Sequence, residues 1–272
     1  MSETNESSFS GKKIFFVNPT FQTQSTVIEK LINSEYEVYT ILDYKILKNI
    51  LIKNPNSICF INPDVSLSLH TWRNYLLTFA QDSRLKQVSV GIISNKIHEK
   101  DLDNFKQGVS VVTAGFALDL KDDALLAHVQ KQLETHNAKG VRKFVRAFCY
   151  NDSTAEVYWL DANTMHKFKI VDISCASIAI SVPASKISAL HNGKTIDNAK
   201  VALGTKQVPI YFEVYAIKPN KGDYLVIGML RIEGWETSIK EIRAYILRFL
   251  SEELFNSVVD LPPDRFDYNK LS

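Results

Sequence analysis

Apolar residues fall along this chain in two rhythms, and the change comes near residue 140. Before it, short continuous apolar runs alternate with stretches of helical period. Lys12-Lys13-Ile14-Phe15-Phe16-Val17 is one such run, stopped by Asn18-Pro19. A continuous run of that length suits a strand buried on both faces. Residues 26–34 then place Val27, Ile28, Leu31 and Ile32 on one helix face. The pair repeats: further strands are predicted at 37–42, 57–61, 87–93 and 109–112, and helices at 44–53, 69–81 and 99–107. A last helix is predicted from Asp122-Asp123, which complement a helix amino terminus, to Gly140, where a helix can stop. Strand–helix alternation with short links implies a five-stranded parallel sheet covered by helices, an α/β domain.

From Phe144 onward the period is two. Strands are predicted at 144–150, 155–161, 167–173, 177–182, 199–203, 209–217 and 224–231. Asn151-Asp152, Asp161-Ala-Asn163, His191-Asn192-Gly193 and Pro219-Asn-Lys-Gly222 supply turns. Many short strands with hairpin-like links favour a small closed barrel, because closure removes exposed edges. Pro209 then belongs at a strand start or edge. A C-terminal helix over 237–255 carries Ile239, Ile242, Ile246, Leu247 and Leu250 on the face that packs on the barrel. The domain reading is a disordered tail at 1–10, an α/β domain at 11–139, an all-β barrel domain at 140–258 and a C-terminal tail at 259–272.

Composition narrows the classes without choosing among them. At 272 residues, 45% hydrophobic and 23% charged, the chain reads as globular. A net charge of +2 gives no general attraction to DNA, RNA or membrane, so any anion site must be local. Cys59, Cys149 and Cys175 are widely spaced and odd in number, which fits a reducing cytoplasm and no disulfide framework. The six histidines lack metal-ligand spacing. Neither a signal peptide nor a stretch suited to membrane insertion is read. Cys149 and His166 are not spaced as a nucleophile and base. No catalytic residues, metal or cofactor are expected, and the chain is not expected to be an enzyme.

The first domain resembles the response-regulator receiver in architecture. A working receiver has acidic residues after strand one, an aspartate ending strand three and a lysine after strand five. Here strand one leads into Asn18-Pro19, strand three ends at Ile61-Asn62 with Asp64 beyond, and the predicted fifth strand runs into Thr113-Ala114-Gly115. Without a neighbouring acid pair to hold magnesium, Asp64 is a poor phosphate acceptor. The reading is a pseudo-receiver.

The junction carries the candidate chemistry. Arg142 and Arg146 stand four apart in Arg-Lys-Phe-Val-Arg where the rhythm changes, and Asp172-Ile-Ser174-Cys-Ala-Ser177 follows. Guanidinium forks bond phosphate oxygens or purine edges and stack on bases. Asp172 and Ser174 flank an apolar residue, so a strand projects both from one face. This order resembles the PilZ domain, whose signature is R-x-x-x-R followed by [D/N]-x-S-x-x-G, over roughly residues 140 to 250. The resemblance implies a bacterial cytoplasmic signal-transduction protein that binds cyclic di-GMP. Arg142 and Arg146 would grip phosphates and guanine edges, and Asp172 and Ser174 would bond a guanine. Ser177 stands where the family has glycine and is expected to crowd the ligand and weaken binding. The resemblance further implies an effector in which the ligand orders the arginine arm, reorients the domains and exposes a surface for a protein partner. The alternative is a PilZ-like interaction scaffold that does not bind nucleotide.

Overall fold

A computed structural model describes residues 11–98, 102–103, 106 and 110–264. The chain divides into two compact units. One takes residues up to Lys143 together with those from Glu253; the other is Phe144–Glu252.

The first unit holds five parallel strands: β1 (Ile14–Val17), β2 (Val38–Ile41), β3 (Ile58–Ile61), β4 (Ser89–Ser94) and β5 (Phe116–Leu118), in the order β2-β1-β3-β4-β5. That is the flavodoxin-like doubly wound order. β1 and β3 are buried at every residue, as their unbroken apolar runs require. Helices α1 (Phe21–Thr23) and α2 (Glu29–Asn33) are joined by a π-helical turn at Gln24–Ile28. They share one core with α5 (Asp122–Thr135), through Val27, Ile28 and Leu31 on one side and Leu125, Val129 and Leu133 on the other. Helices α3 (Leu47–Lys53) and α4 (Leu69–Gln81) bury Leu47, Ile50, Leu51, Trp72, Tyr75, Leu76 and Phe79. Ser68 caps α4 by accepting the Thr71 amide at 3.1 Å.

In the first unit the fifth strand and the last helix differ from the sequence reading. The fifth strand is Phe116–Leu118, not 109–112. Chain at 110–111 is a turn, and Thr113 N donates to Val111 O at 2.9 Å, so the Val-Val run cannot extend. Gly115, at φ +76°, makes the last irregular step before the regular strand. Helix α5 ends at Thr135, short of Gly140, because Asn137 takes the left-handed conformation (φ 49°) and Ala138 N bonds Leu133 O. Of the helix predicted at 99–107, Leu102, Asp103 and Lys106 are helical and the remaining positions lie outside the described residues.

The second unit is the expected antiparallel barrel. It comprises β6 (Arg146–Phe148), β7 (Glu156–Asp161), β8 (Thr164–Ser174), β9 (Ser177–Val182), β10 (Thr195–Leu203), β11 (Lys206–Asn220) and β12 (Asp223–Leu230). Six strands close the ring β7-β10-β11-β12-β9-β8-β7, and β6 adds to β8 outside it. Val157, Trp159, Ile170, Ile178, Ile180, Val201, Phe212, Val214 and Val226 fill the interior. Pro209 sits within β11, paired with Lys200 of β10. Strand β12 joins β11 only from Phe212, so one side of the Pro209 stretch has no ladder to lose. Helix α6 (Glu236–Asn256) contributes Ile239, Ile242, Tyr245 and Ile246 to the same core. Its last turn counts with the first unit. The chain beyond α6 is hydrogen-bonded to α3 and its approach: Asn49 Nδ2 donates to Pro262 O at 2.9 Å and Asp264 N to Lys45 O at 2.9 Å.

Candidate functional site

Strand β6 lies on the last residues of β8, with Arg146 opposite Ser174, Ala147 opposite Ile173 and Phe148 opposite Asp172. Ala147 is buried in the barrel core, so its neighbours Arg146 and Phe148 face outward. A register irregularity in β8 between Ile170 and Asp172 does the same for the acid. Ile170 and Ile173 both enter the core, an odd spacing that a regular strand cannot achieve, and the extra residue leaves Asp172 outside. Arg146 Nη1 donates to Asp172 Oδ1 at 3.2 Å; the two side chains are 35% and 14% exposed. An ion pair shielded to that degree is screened less than one standing free in solvent.

The two serines bond each other. Ser174 is fully buried and Ser177 nearly so. Ser174 Oγ accepts the amides of Ser177 (3.0 Å) and Ala176 (3.3 Å). It lies 3.0 Å from Ser177 Oγ and 3.3 Å from Ser177 O, either of which can take its proton. Ser177 is not among the residues with positive φ, so glycine's freedom is not required there.

The structure thus joins Arg146 to Asp172 and Ser174 to Ser177. Arg142 is half-buried in irregular backbone and belongs to the first unit. Phe148, 43% exposed and directly opposite Asp172, was missed by sequence reasoning. The signal for it was its place two residues after Arg146 in a period-two run.

The receiver-like positions are occupied by a hydrogen-bonded lock. Asp64 Oδ1 accepts the Ser94 hydroxyl at 2.5 Å and Oδ2 the Asn95 amide at 2.8 Å. Lys96 Nζ donates to Asp64 O at 2.8 Å. Asn62 Nδ2 donates to Asn18 O at 2.9 Å, and Asn18 Nδ2 to Ser66 Oγ at 3.1 Å. With the fifth strand at Phe116–Leu118, the residues that follow it are Asp119, Leu120 and Lys121, not Thr113-Ala114-Gly115. Cys149 and His166 serve separate packing roles. Cys149 Sγ lies 3.4 Å from the Tyr245 hydroxyl, and His166 stacks on Trp159 at 5.2 Å. Among the described residues no group of three or more His, Cys, Asp or Glu could hold a metal ion. No helix among them is long and apolar enough to cross a membrane.

Fold and site together define a two-unit chain, an α/β unit followed by a closed antiparallel barrel with an Arg–Asp pair on its outer face. Comparison with solved structures gives partial alignments, each over less than half of this chain. The complex of K. pneumonia MrkH with c-di-GMP aligns at 16% identity over 41% of this chain and 53% of that one, TM-score 0.38. The PilZ domain of Escherichia coli YcgR with c-di-GMP aligns at 15% identity over 44% and 98%, TM-score 0.37. The Bacillus subtilis inhibitor of motility MotI/DgrA aligns at 15% over 41% and 52%, TM-score 0.34. The match spans about half the length of the MrkH and MotI chains. No family model and no curated protein matches the sequence.

Proposed function

We propose that this chain is a non-enzymatic cyclic di-GMP effector whose nucleotide is taken by Arg142, Arg146 and Asp172. The observation that carries the reading is the outward-facing Arg146–Asp172 pair beside Phe148. It sets a cationic fork, a guanine acceptor and an aromatic face side by side at the barrel surface. Such a nucleotide needs all three: phosphates bond guanidinium forks bidentately, guanine N1 and N2 donate to a carboxylate, and bases stack on aromatic rings. Ligand capture by Arg142 and Arg146 would order the segment joining the two units, and ordering of a segment is a recognised switching mode. The output is a protein partner recognised only in the ordered state.

A specific observation favours the alternative, a scaffold that does not bind nucleotide. Arg146 already has an internal anionic partner in Asp172, and the two motif serines bond each other. Titration calorimetry of cyclic di-GMP into wild type, Arg142→Ala and Arg146→Ala separates the two. Saturable binding that both variants lose supports the effector. No wild-type binding, confirmed by a second probe, leaves the scaffold.

A further inference from the structure

We infer that Ser174 and Ser177 are positioning residues, a two-hydroxyl staple that fixes the β8–β9 register and so holds Asp172 toward Arg146. This rests on the reading of Asp172 as a ligand contact. It departs from the expectation that Ser174 touches the nucleotide and that Ser177 crowds it.

One serine Oγ offers a single donor and two acceptor lone pairs. At Ser174 both acceptors are taken by amides of its own turn, Ala176 N at 3.3 Å and Ser177 N at 3.0 Å. The single proton goes to Ser177, at Oγ 3.0 Å or O 3.3 Å. Ser174 is saturated and fully buried, with no bond left for a guanine. Ser177 lies with its hydroxyl against Ser174 and is 5% exposed, so its side chain is folded into the hairpin and away from any ligand face.

The staple matters because of what it fixes. Cys175 and Ala176 form a two-residue loop between the strands, and neither has the positive φ of the usual tight hairpin turns. The serine bonds close this loop from within, and the Leu230 amide holds it from β12 by donating to Ala176 O at 2.9 Å. The register they hold sets Ile173 opposite Ile178 and Asp172 opposite Ala179. A slip of one residue turns every side chain to the other face. Asp172 would then enter the apolar barrel, and the Arg146 pairing across β6 would be lost. In this chain Ser177 supplies a hydroxyl partner that glycine could not offer.

The test uses the full chain and four variants: Ser177→Gly, Ser177→Ala, Ser177→Thr and Ser174→Ala. Two readouts are taken, amide hydrogen exchange at Ala176 and Ser177, and cyclic di-GMP titration. The staple predicts roughly tenfold faster exchange in the Gly, Ala and Ser174 variants and near-wild-type protection in the Thr variant, which keeps the hydroxyl. It predicts equal or weaker nucleotide binding for Ser177→Gly. Tenfold tighter binding by Ser177→Gly, with protection unchanged, would overturn the inference. If the wild type binds no nucleotide, the functional proposal fails while the exchange readout still decides for or against the staple.

Discussion

Asp64 gives the sharpest test of the pseudo-receiver, because its carboxylate has a structural occupation that phosphoryl transfer would end. Both oxygens are engaged, one by the hydroxyl of Ser94, the other by the Asn95 amide. Ser94 is 1% exposed and its Oγ also accepts the Lys96 and Ile97 amides, at 3.1 and 3.0 Å. Removing the carboxylate strands a buried O–H and releases a loop amide to water. Hydrogen bonds to charged groups contribute about 1.5–3 kcal/mol each, and an unsatisfied buried donor costs about 1–3 kcal/mol. Asp64 itself is partly exposed and water recovers part of the loss. Asp64→Ala should therefore destabilise the first unit by about 2–3 kcal/mol, and Asp64→Asn, which retains one acceptor oxygen, by about half that. The assay is urea unfolding paired with hydrogen exchange at Asn95, whose amide should lose protection in the alanine variant. Treatment with a small phosphoryl donor should leave the wild-type mass unchanged. An alanine variant with wild-type midpoint and wild-type Asn95 protection refutes the lock; a stable phosphoryl adduct at Asp64 refutes it as well.

Three further outcomes follow from packing and charge. Gly228 lies beneath Phe212, and a Cβ there would sit 2.5 Å from Phe212 Cδ2 with the ring fully buried. Gly228→Ala should cost the barrel about 1–3 kcal/mol by overpacking; an unchanged melting midpoint would contradict that geometry. The Tyr245 hydroxyl, which burial pushes well above its usual range, donates to Asp152 Oδ2 at 2.7 Å and ties α6 to the turn after β6. Tyr245→Phe should lose about 1.5–3 kcal/mol in denaturant titration, and equal stability would show that α6 is held by its apolar face alone. Hydrogen bonds from the Arg84 side chain hold Asp82 down to about 2. Its folded pKa lies below the ordinary carboxylate value of about 4. The contribution is therefore present above pH ~4 and fades as pH falls toward ~2. Thermal melts across that window should flatten in Asp82→Asn, and a wild-type slope in the variant would exclude the pair as a source of acid sensitivity.

The rhythm of the sequence carried the architecture because burial dictates it. Runs such as Ile14–Val17 have no polar face to show water, and they became central strands of the parallel sheet. The period-two half became a barrel, with Asp161-Ala-Asn163 turning where the sequence placed it, Ala162 and Asn163 both at positive φ. The fifth strand was misplaced because Phe116-Ala117-Leu118 is three residues long and gives no periodic signal. The more apolar Val111-Val112 is drawn to β4 by isolated hydrogen bonds instead of a ladder. At the site, Asp172 and Arg146 could be named from spacing, but the outward direction of Asp172 depends on an irregularity in β8 that no pattern announces. The engagement of Ser174 with Ser177 was hidden for a related reason. A motif gives the order of side chains along a strand and is silent on which bonds they have already made.

Asp64 and Asp172 are both internally bonded, and the kind of bond separates them. At Asp64 one donor is a backbone amide, fixed in a loop that Lys96 also secures through the Asp64 carbonyl. At Asp172 one donor is a guanidinium on a flexible side chain at the barrel surface, its Nη1 at 3.2 Å. A guanidinium has five N–H donors, so a phosphate can add a second, bidentate set of bonds without first breaking the first. Under the proposed function, the acid that holds Arg146 would already stand beside the guanine edge, and the Arg146–Asp172 pair would be preorganisation for an anionic nucleotide.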